Sequence, residues 1–271
     1  MSASSVVVSA RDTRDRRIPF SVVRDTFEIT RRNLIAYRRV PQLLVFSTIQ
    51  PVIFVLMFRF VFGGAINVPG RIPYVDFLMP GIFVQTVVFG AIATAIGLAT
   101  DLKSGLMERF HALPMARSAV LTGRTMADMS RNVFVVILMM VVGFLVGWRI
   151  HTNVLDLMGG ALLVILFGYS MSWIFATVGL AVGDPEAAQA AAFPVLAPLV
   201  FASSAFVPVS SMPGWLQAFA KHQPVSVTAS AVRALTLGGP TASDVWQAIA
   251  WCAGILVVFA PIAVRLYRRA V

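Results

Sequence analysis

The sequence predicts an all-α polytopic membrane protein, and three observations support that prediction. Hydrophobic residues make up 58% of the 271-residue chain and charged residues 13%, about half the charged share of soluble proteins. Several apolar runs are long enough to cross a bilayer as helices, which takes about 20 residues. The basic residues flank these runs, so the net charge of +10 indicates orientation in a membrane rather than nucleic-acid binding.

The apolar runs predict six transmembrane helices, numbered here as spans 1 to 6. They cover residues 43–62, 75–99, 133–148, 157–182, 187–207 and 245–266. Prolines inside these spans predict kinks or loosened turns, among them Pro51, Pro80, Pro194 and Pro198. The single cysteine, Cys252, lies in span 6 and is expected to be an apolar packing residue. Residues 1–271 therefore read as one transmembrane domain without a soluble domain.

Residues 18–40 predict an amphipathic helix that lies along the membrane surface. Four apolar residues recur at helical spacing, namely Phe20, Val23, Phe27 and Leu34. Arginines occupy the other faces, as in helices that lie at the headgroup boundary. The alternative is a disordered basic tail that only orients the chain. No cleavable signal sequence is recognisable before it.

Residues 208–244 form the longest segment predicted on the outer side. The ranges 212–220 and 225–236 each suit a short helix, but neither reaches the length needed to cross a bilayer. We therefore expect a re-entrant hairpin that dips into the outer leaflet.

The distribution of basic residues predicts that both termini and the central loop, residues 101–132, face the cytoplasm. Seventeen basic residues lie in segments on that side, in agreement with the positive-inside rule. Four lie on the other side, namely Arg71, Arg149, Lys221 and Arg233. The inner turn with Asp184 and Glu186 opposes this bias, but acidic residues contribute little to the rule.

The central loop is the longest polar interruption between apolar runs. Residues 104–113 predict a short amphipathic helix, which Pro114 ends. Its apolar face contains Leu106, Phe110 and Leu113. Glu108 and Arg109 point elsewhere, toward the cytosol. A soluble partner could push such a helix, although a simple solvated loop is the alternative interpretation.

The loop segment SGLMERFHALPMARSAVLTGRTMAD resembles the cytoplasmic loop of ABC-2 type exporter permeases, especially actinobacterial permeases of the daunorubicin/doxorubicin-resistance type. The matching positions are Gly105, Glu108, Arg109, Leu113, Pro114, Arg117, Gly123, Arg124, Ala127 and Asp128. FLMPGIFVQ at 77–85 and FVPVSSMPGWLQAFAKHQP at 206–224 extend the resemblance over most of the chain beyond residue 40. It implies the ABC-2 exporter fold for the whole chain.

The resemblance also implies a function and partners. Two permeases, identical or paralogous, would pair in the plasma membrane, and a separate ATPase subunit that binds ATP and Mg would dock beneath each copy. The expected docking residues are Gly105, Leu106, Glu108, Arg109, Phe110, Leu113, Pro114, Arg117, Gly123, Arg124 and Asp128. The cargo would be an amphiphilic drug, lipid or glycolipid. Together with the prolines and polar groups in the spans, the resemblance places Pro80, Gln85, Thr86 and Phe206 along its path.

Catalytic motifs are missing from the sequence. The stretch GLATDLKS at 97–104 has Leu102 where a phosphate-binding loop needs glycine, so we expect no nucleotide or other cofactor on this chain. The three histidines are too far apart in sequence to predict a metal site. The alternatives are a polysaccharide-exporter permease of the same fold and, less favoured, a stand-alone membrane enzyme or channel.

Overall fold

Every element is helical in the part of the chain that the computed structural model describes. The described residues are 41–66, 68, 72–105 and 117–270. The elements are α1 (Pro41–Leu56), a π-helical turn (Met57–Val61), α2 (Tyr74–Lys103), α3 (Arg117–Val146), α4 (Val154–Val182), α5 (Pro185–Phe201), a 3₁₀ turn (Val209–Ser211), α6 (Gly214–His222), α7 (Pro224–Leu237) and α8 (Thr241–Ala270). The helix predicted at 18–40 and the centre of the 101–132 loop lie outside the described residues.

Among the described residues, four helices are long and apolar enough to cross a membrane. Their apolar segments are Tyr74–Lys103, Leu121–Val146, Val154–Val182 and Thr241–Arg269. Two shorter apolar helices, Thr48–Val61 and Pro185–Phe201, occupy the positions of predicted spans 1 and 5. At 1.5 Å per residue, 17-residue α5 is roughly 25 Å long, less than the hydrocarbon thickness of about 30 Å. The six-crossing topology therefore stays a prediction.

Helix α2 lies at the centre of the bundle and packs against α3, α4, α5 and α7. Glycines bring the backbones close, since a Cβ at Gly179 of α4 would collide with the Ala95 carbonyl of α2. A Cβ at Gly168 would collide with the side chains of Val87 of α2 and Asn132 of α3. Small residues at such contacts are typical of helix packing in membranes, where close approach supplies van der Waals contact.

Helix α3 begins 16 residues before the predicted start of span 3, so the expectation that this stretch is part of a polar loop was wrong. It starts at Arg117 rather than at residue 133. Leu121, Thr125, Asp128 and Asn132 are all buried, and their spacing places them on one helix face. Hydropathy alone places the start of this helix too late, because α2 supplies hydrogen-bond partners for the polar side chains of its first turns.

The 208–244 segment contains the two predicted short helices, α6 and α7. Most of α7 is buried, and it packs against α2, α4 and α8. Helix α5 ends at Phe201 rather than at the predicted residue 207, and residues 202–207 form a non-helical connection. We call these six residues the unwound segment.

The bundle has two ends, named here by their position. The loop end carries the last turn of α2, the first turns of α3 and the α4–α5 turn. The far end carries the start of α2, the unwound segment and the C-terminus of α7. Helix α2 has 30 residues, so it separates these ends by roughly 45 Å.

Candidate functional site

A row of polar contacts joins α2 to α3 from the middle of α2 to its loop end, and we call it the seam. Arg131 Nη2 donates to the Gly90 carbonyl at 2.6 Å. Thr94 Oγ1 donates to Asp128 Oδ2 at 2.5 Å. Arg124 Nη1 donates to Asp101 Oδ2 at 2.9 Å. The seam thus connects the two helices that flank the central loop.

Two glycines of α2 make room for the arginines of the seam. Gly90 and Gly97 are seven residues apart, as are Arg124 and Arg131, so both pairs repeat after two helical turns. A Cβ at Gly97 would collide with the Arg124 guanidinium, and one at Gly90 would lie 3.1 Å from Arg131 Nη2. The guanidinium groups therefore lie over bare backbone.

Burial divides the seam into two parts. The side chains of Asp128 and Arg131 are 1% and 5% exposed and lie 4.0 Å apart. Those of Asp101 and Arg124 are 16% and 18% exposed. A buried charge is tolerated when it is paired and hydrogen-bonded, and Thr94 together with the Gly90 carbonyl completes that pairing. The inner part of the seam is thus a satisfied ionic contact inside the bundle.

The α4–α5 turn is tied to the same end of the bundle. Lys103 Nζ forms an ion pair with the Asp184 carboxylate, whose Oδ1 also accepts from the backbone N–H groups of Glu186 and Ala187 and caps α5. The hydrogen bond from Lys103, followed by that from the Ala187 N–H, lowers the pKa of Asp184. The contact is therefore fully present above the ordinary pKa of an aspartate and is lost as the pH falls through the lowered pKa of Asp184.

At the far end, side chains from α2 and α7 hold the unwound segment. Tyr74 Oη donates to the Phe206 carbonyl at 2.9 Å, and Arg233 Nη2 donates to the Ala205 carbonyl at 3.2 Å. Ser226 Oγ accepts from the Ser204 N–H at 2.9 Å. These bonds satisfy backbone groups that the end of α5 leaves without helical partners.

Phe206 of the unwound segment lies in a group of stacked rings, the aromatic cluster. Its ring centroid lies 4.5 Å from that of Phe58, 5.7 Å from that of Phe54 and 6.3 Å from that of Phe201. Phe58 belongs to the π-helical turn, a distortion that is frequent at functional sites. The cluster joins α1, α5 and the unwound segment.

A separate apolar cavity of about 500 Å³ lies between α4, α5, α6, the start of α7 and α8. Its walls include Met171, Leu199, Phe219, Gln223 and Trp251. Gln223 Nε2 donates to the Leu199 carbonyl and to Ser226 Oγ, both at 3.0 Å. The cavity can take an apolar group beside the polar side chains of His222 and Gln223.

Comparison with known proteins agrees with this architecture. The family model described as ABC-2 type transporter matches residues 24–237. Daunorubicin resistance ABC transporter permease protein DrrB1 of Streptomyces coeruleorubidus is 38% identical over 238 residues, which cover 88% of this chain and 84% of that protein. Doxorubicin resistance ABC transporter permease protein DrrB of Mycobacterium tuberculosis (strain ATCC 25618 / H37Rv) is 30% identical over 251 residues, which cover 85% and 86%.

The chain belongs to the ABC-2 type transporter family. The resemblance noted in the sequence is thereby confirmed. With its four long apolar helices, this ABC-2 transporter is an integral membrane protein.

The docking residues expected in this ABC-2 transporter divide into two groups. Those in the centre of the loop lie outside the described residues, namely Leu106, Glu108, Arg109, Phe110, Leu113 and Pro114. Gly105 has a φ of 65°, a left-handed conformation that glycine adopts without strain, and it ends the turn after α2. Arg117 begins α3, and Gly123, Arg124 and Asp128 follow within that helix. Of these, Arg124 and Asp128 are members of the seam.

The four expected path residues are all buried in the described structure. Pro80, Gln85 and Thr86 are buried in α2. Gln85 Oε1 has no hydrogen-bond partner among the described residues, whereas Thr86 Oγ1 donates to the Ile82 carbonyl. Phe206 lies in the aromatic cluster. The 500 Å³ cavity includes none of the four.

Two charged residues at the far end of this ABC-2 transporter were not singled out from the sequence. Asp76 is 2% exposed and accepts from the Arg149 N–H and from His151 Nε2. Arg233 was counted only as an outer basic residue, yet it is 9% exposed. Arg233 lies among small and apolar residues within α7, a pattern that favours burial and that charge counting ignores.

Proposed function

We propose that this chain is the permease subunit of an ATP-driven exporter of the plasma membrane. A second permease, identical or paralogous, completes the membrane part. A separate ATPase subunit binds ATP and Mg and docks at the loop end. In this proposal the loop end and both termini face the cytoplasm, in line with the excess of basic residues there.

The proposed cargo is an amphiphilic drug, with a lipid or glycolipid as the other member of the same chemical class. Relatives named for daunorubicin and doxorubicin resistance support the drug. The aromatic cluster supports it as well, because stacked rings offer flat apolar surfaces to a planar molecule. A polysaccharide would favour polar walls, so the sugar-exporting alternative fits this chain less well.

The observation that supports the proposal most directly is the continuity of α2. This helix joins the seam, through Thr94 and Asp101, to the unwound segment, which Tyr74 holds. A displacement of the central loop would therefore reach the far end through one rigid element. Such a linkage lets the ATPase make different contacts with two conformations of the permease, which conformational coupling requires.

Glu108 and Arg109 are proposed to contact the ATPase. They adjoin in the loop that connects the two helices of the seam. A hydrogen-bonded charge at a protein interface costs about 2–5 kcal/mol when its partner is left unpaired. Docking would then weaken by roughly tens- to thousands-fold.

The test compares Glu108→Ala with Glu186→Ala, which removes an exposed glutamate near the Lys103–Asp184 contact. Co-purification with the ATPase and the rate of export are measured at equal expression. We expect Glu108→Ala to reduce both, and Glu186→Ala to leave both near the parental level. Parental docking and export in Glu108→Ala would show that this loop does not couple the two subunits.

A further inference from the structure

A second cavity, of about 400 Å³, lies at the far end beside Arg233. Phe77 of α2, Ser204 of the unwound segment and Ser230 of α7 line it together with the arginine. Val68 and Ile72 form part of its apolar wall. The cavity therefore combines a cation and two hydroxyl groups with hydrocarbon surface.

The Arg233 guanidinium is held by neutral acceptors. Nε donates to the Phe77 carbonyl at 2.8 Å, Nη1 to Ser204 Oγ at 3.1 Å, and Nη2 to the carbonyls of Ser204 and Ala205 at 2.5 and 3.2 Å. The group lies 3.8 Å from the centroid of the Phe77 ring. These contacts fix its position and leave its charge uncompensated.

Among the described residues, no carboxylate forms an ion pair with Arg233. Asp76 precedes Phe77 in the chain, but its two oxygens accept from the Arg149 N–H and from His151 Nε2. Burying a charge without a counter-charge is unfavourable. An anion in the cavity would remove that cost.

Two donors at the cavity are available to such an anion. A guanidinium has five N–H groups, and four acceptors from the described residues account for four of them. Ser230 lies one turn before Arg233 in α7, and its hydroxyl has no hydrogen-bond partner among the described residues. Charge-assisted bonds from arginine suit phosphate oxygens in particular.

The position of the cavity indicates what carries the anion. It lies beside the first turn of α2, at one extremity of this long apolar helix. In either orientation of the chain, that depth corresponds to the lipid headgroups. We propose that the cavity binds the phosphate ester of an anionic lipid, whose oxygens accept from Arg233 and Ser230 while its acyl chains pass Val68 and Ile72. This site is distinct from the aromatic cluster and does not depend on export.

The test measures the Tm of the purified full chain in dodecyl maltoside. Phosphatidylglycerol, phosphatidylcholine with the same acyl chains, and inorganic phosphate are added separately. We expect a saturable rise with phosphatidylglycerol alone, of about 2–4 °C for each kcal/mol of binding free energy gained. An equal rise with phosphatidylcholine would overturn the proposal, and an equal rise with inorganic phosphate would replace the lipid by a free anion.

Three variants locate the effect. Arg233→Gln removes the charge and keeps two N–H donors, whereas Ser230→Leu fills the cavity and leaves the Arg233 contacts in place. Both should weaken the apparent affinity for phosphatidylglycerol at least tenfold. Lys221→Gln removes an exposed cation of α6 and should leave the affinity unchanged. Undiminished affinity for phosphatidylglycerol in Ser230→Leu would place the lipid elsewhere. If Arg233→Gln does not fold, the comparison of the three additives on the wild-type protein still tests the proposal.

Discussion

Asp128 and Arg131 are the two most deeply buried charged residues of the seam. Their position in α3 allows Thr94 and the Gly90 carbonyl of α2 to complete their hydrogen bonds. Arg124 and Asp101 form the same kind of contact one to two turns nearer the loop, with more solvent access. The different burial of two similar ionic contacts leads to different expected energies.

Asp128→Ala should lower the free energy of unfolding by about 3–5 kcal/mol, because it leaves the buried Arg131 charge without its carboxylate. Arg124→Ala breaks the more exposed pair and should cost about 1 kcal/mol or less. Denaturation of both purified variants in the same detergent measures the difference. Equal losses would mean that burial does not separate the two contacts.

The ring of Phe206 stacks on the rings of Phe54, Phe58 and Phe201. Replacing Phe206 therefore tests the aromatic cluster. Phe206→Ala should change which compounds are exported and leave ATPase assembly intact, because the cluster lies at the far end from the loop. The control is Phe60→Ala, in the same π-helical turn as Phe58, since Phe60 is 69% exposed. Drug-export assays over several compounds provide the measurement, and an unchanged export profile for Phe206→Ala would argue against this path.

At the scale of elements, α2 is held by glycine contacts that leave no room for a side chain. A Cβ at Gly81 would collide with the Ala205 backbone of the unwound segment. By contrast, Gly254 of α8 has open space around its Cβ position. A glycine-to-alanine substitution can therefore be compared at a position where the added methyl group meets a neighbouring backbone and at one where it meets open space.

Gly81→Ala should destabilise the protein by about 1–3 kcal/mol, because the unwound segment has to shift. Gly254→Ala should be neutral or stabilise by about 0.5–1 kcal/mol, since alanine favours the helical conformation over glycine. Thermal unfolding of the two variants, measured side by side, gives the comparison. A Gly81→Ala variant as stable as the Gly254→Ala variant would refute the close contact between Gly81 and the Ala205 backbone.

At the scale of the whole molecule, the seam runs from the middle of α2 to its last turn, and the unwound segment lies beside its first turn. Ser104 follows the last residue of α2, and Ser210 lies in the 3₁₀ turn beyond the unwound segment. Both residues are exposed. The two serines should therefore face opposite sides of the membrane.

Single cysteines at these positions test the orientation in a Cys252→Ala background. In intact cells, an impermeant maleimide should label Ser210→Cys and should label Ser104→Cys only after permeabilisation. This follows from the cytoplasmic loop end that the basic residues predict. Labelling of Ser104→Cys alone in intact cells would invert the topology.

The order of helices follows from local properties of the sequence. Apolar runs predicted the positions of α2, α4 and α8, and the outer segment predicted α6 and α7 to within two residues at each end. The early start of α3 and the early end of α5 were not predicted. In both cases, residues from other helices satisfy the polar groups involved.

The sequence by itself determined the all-helical class, the approximate positions of the apolar helices and the family. These depend on composition and on patterns within a few residues. Only the tertiary structure decided which charged residues are buried. The acceptors of Arg131 and Arg233 include carbonyls 41 and 156 positions away, so their burial depends on the close approach of distant helices to α2.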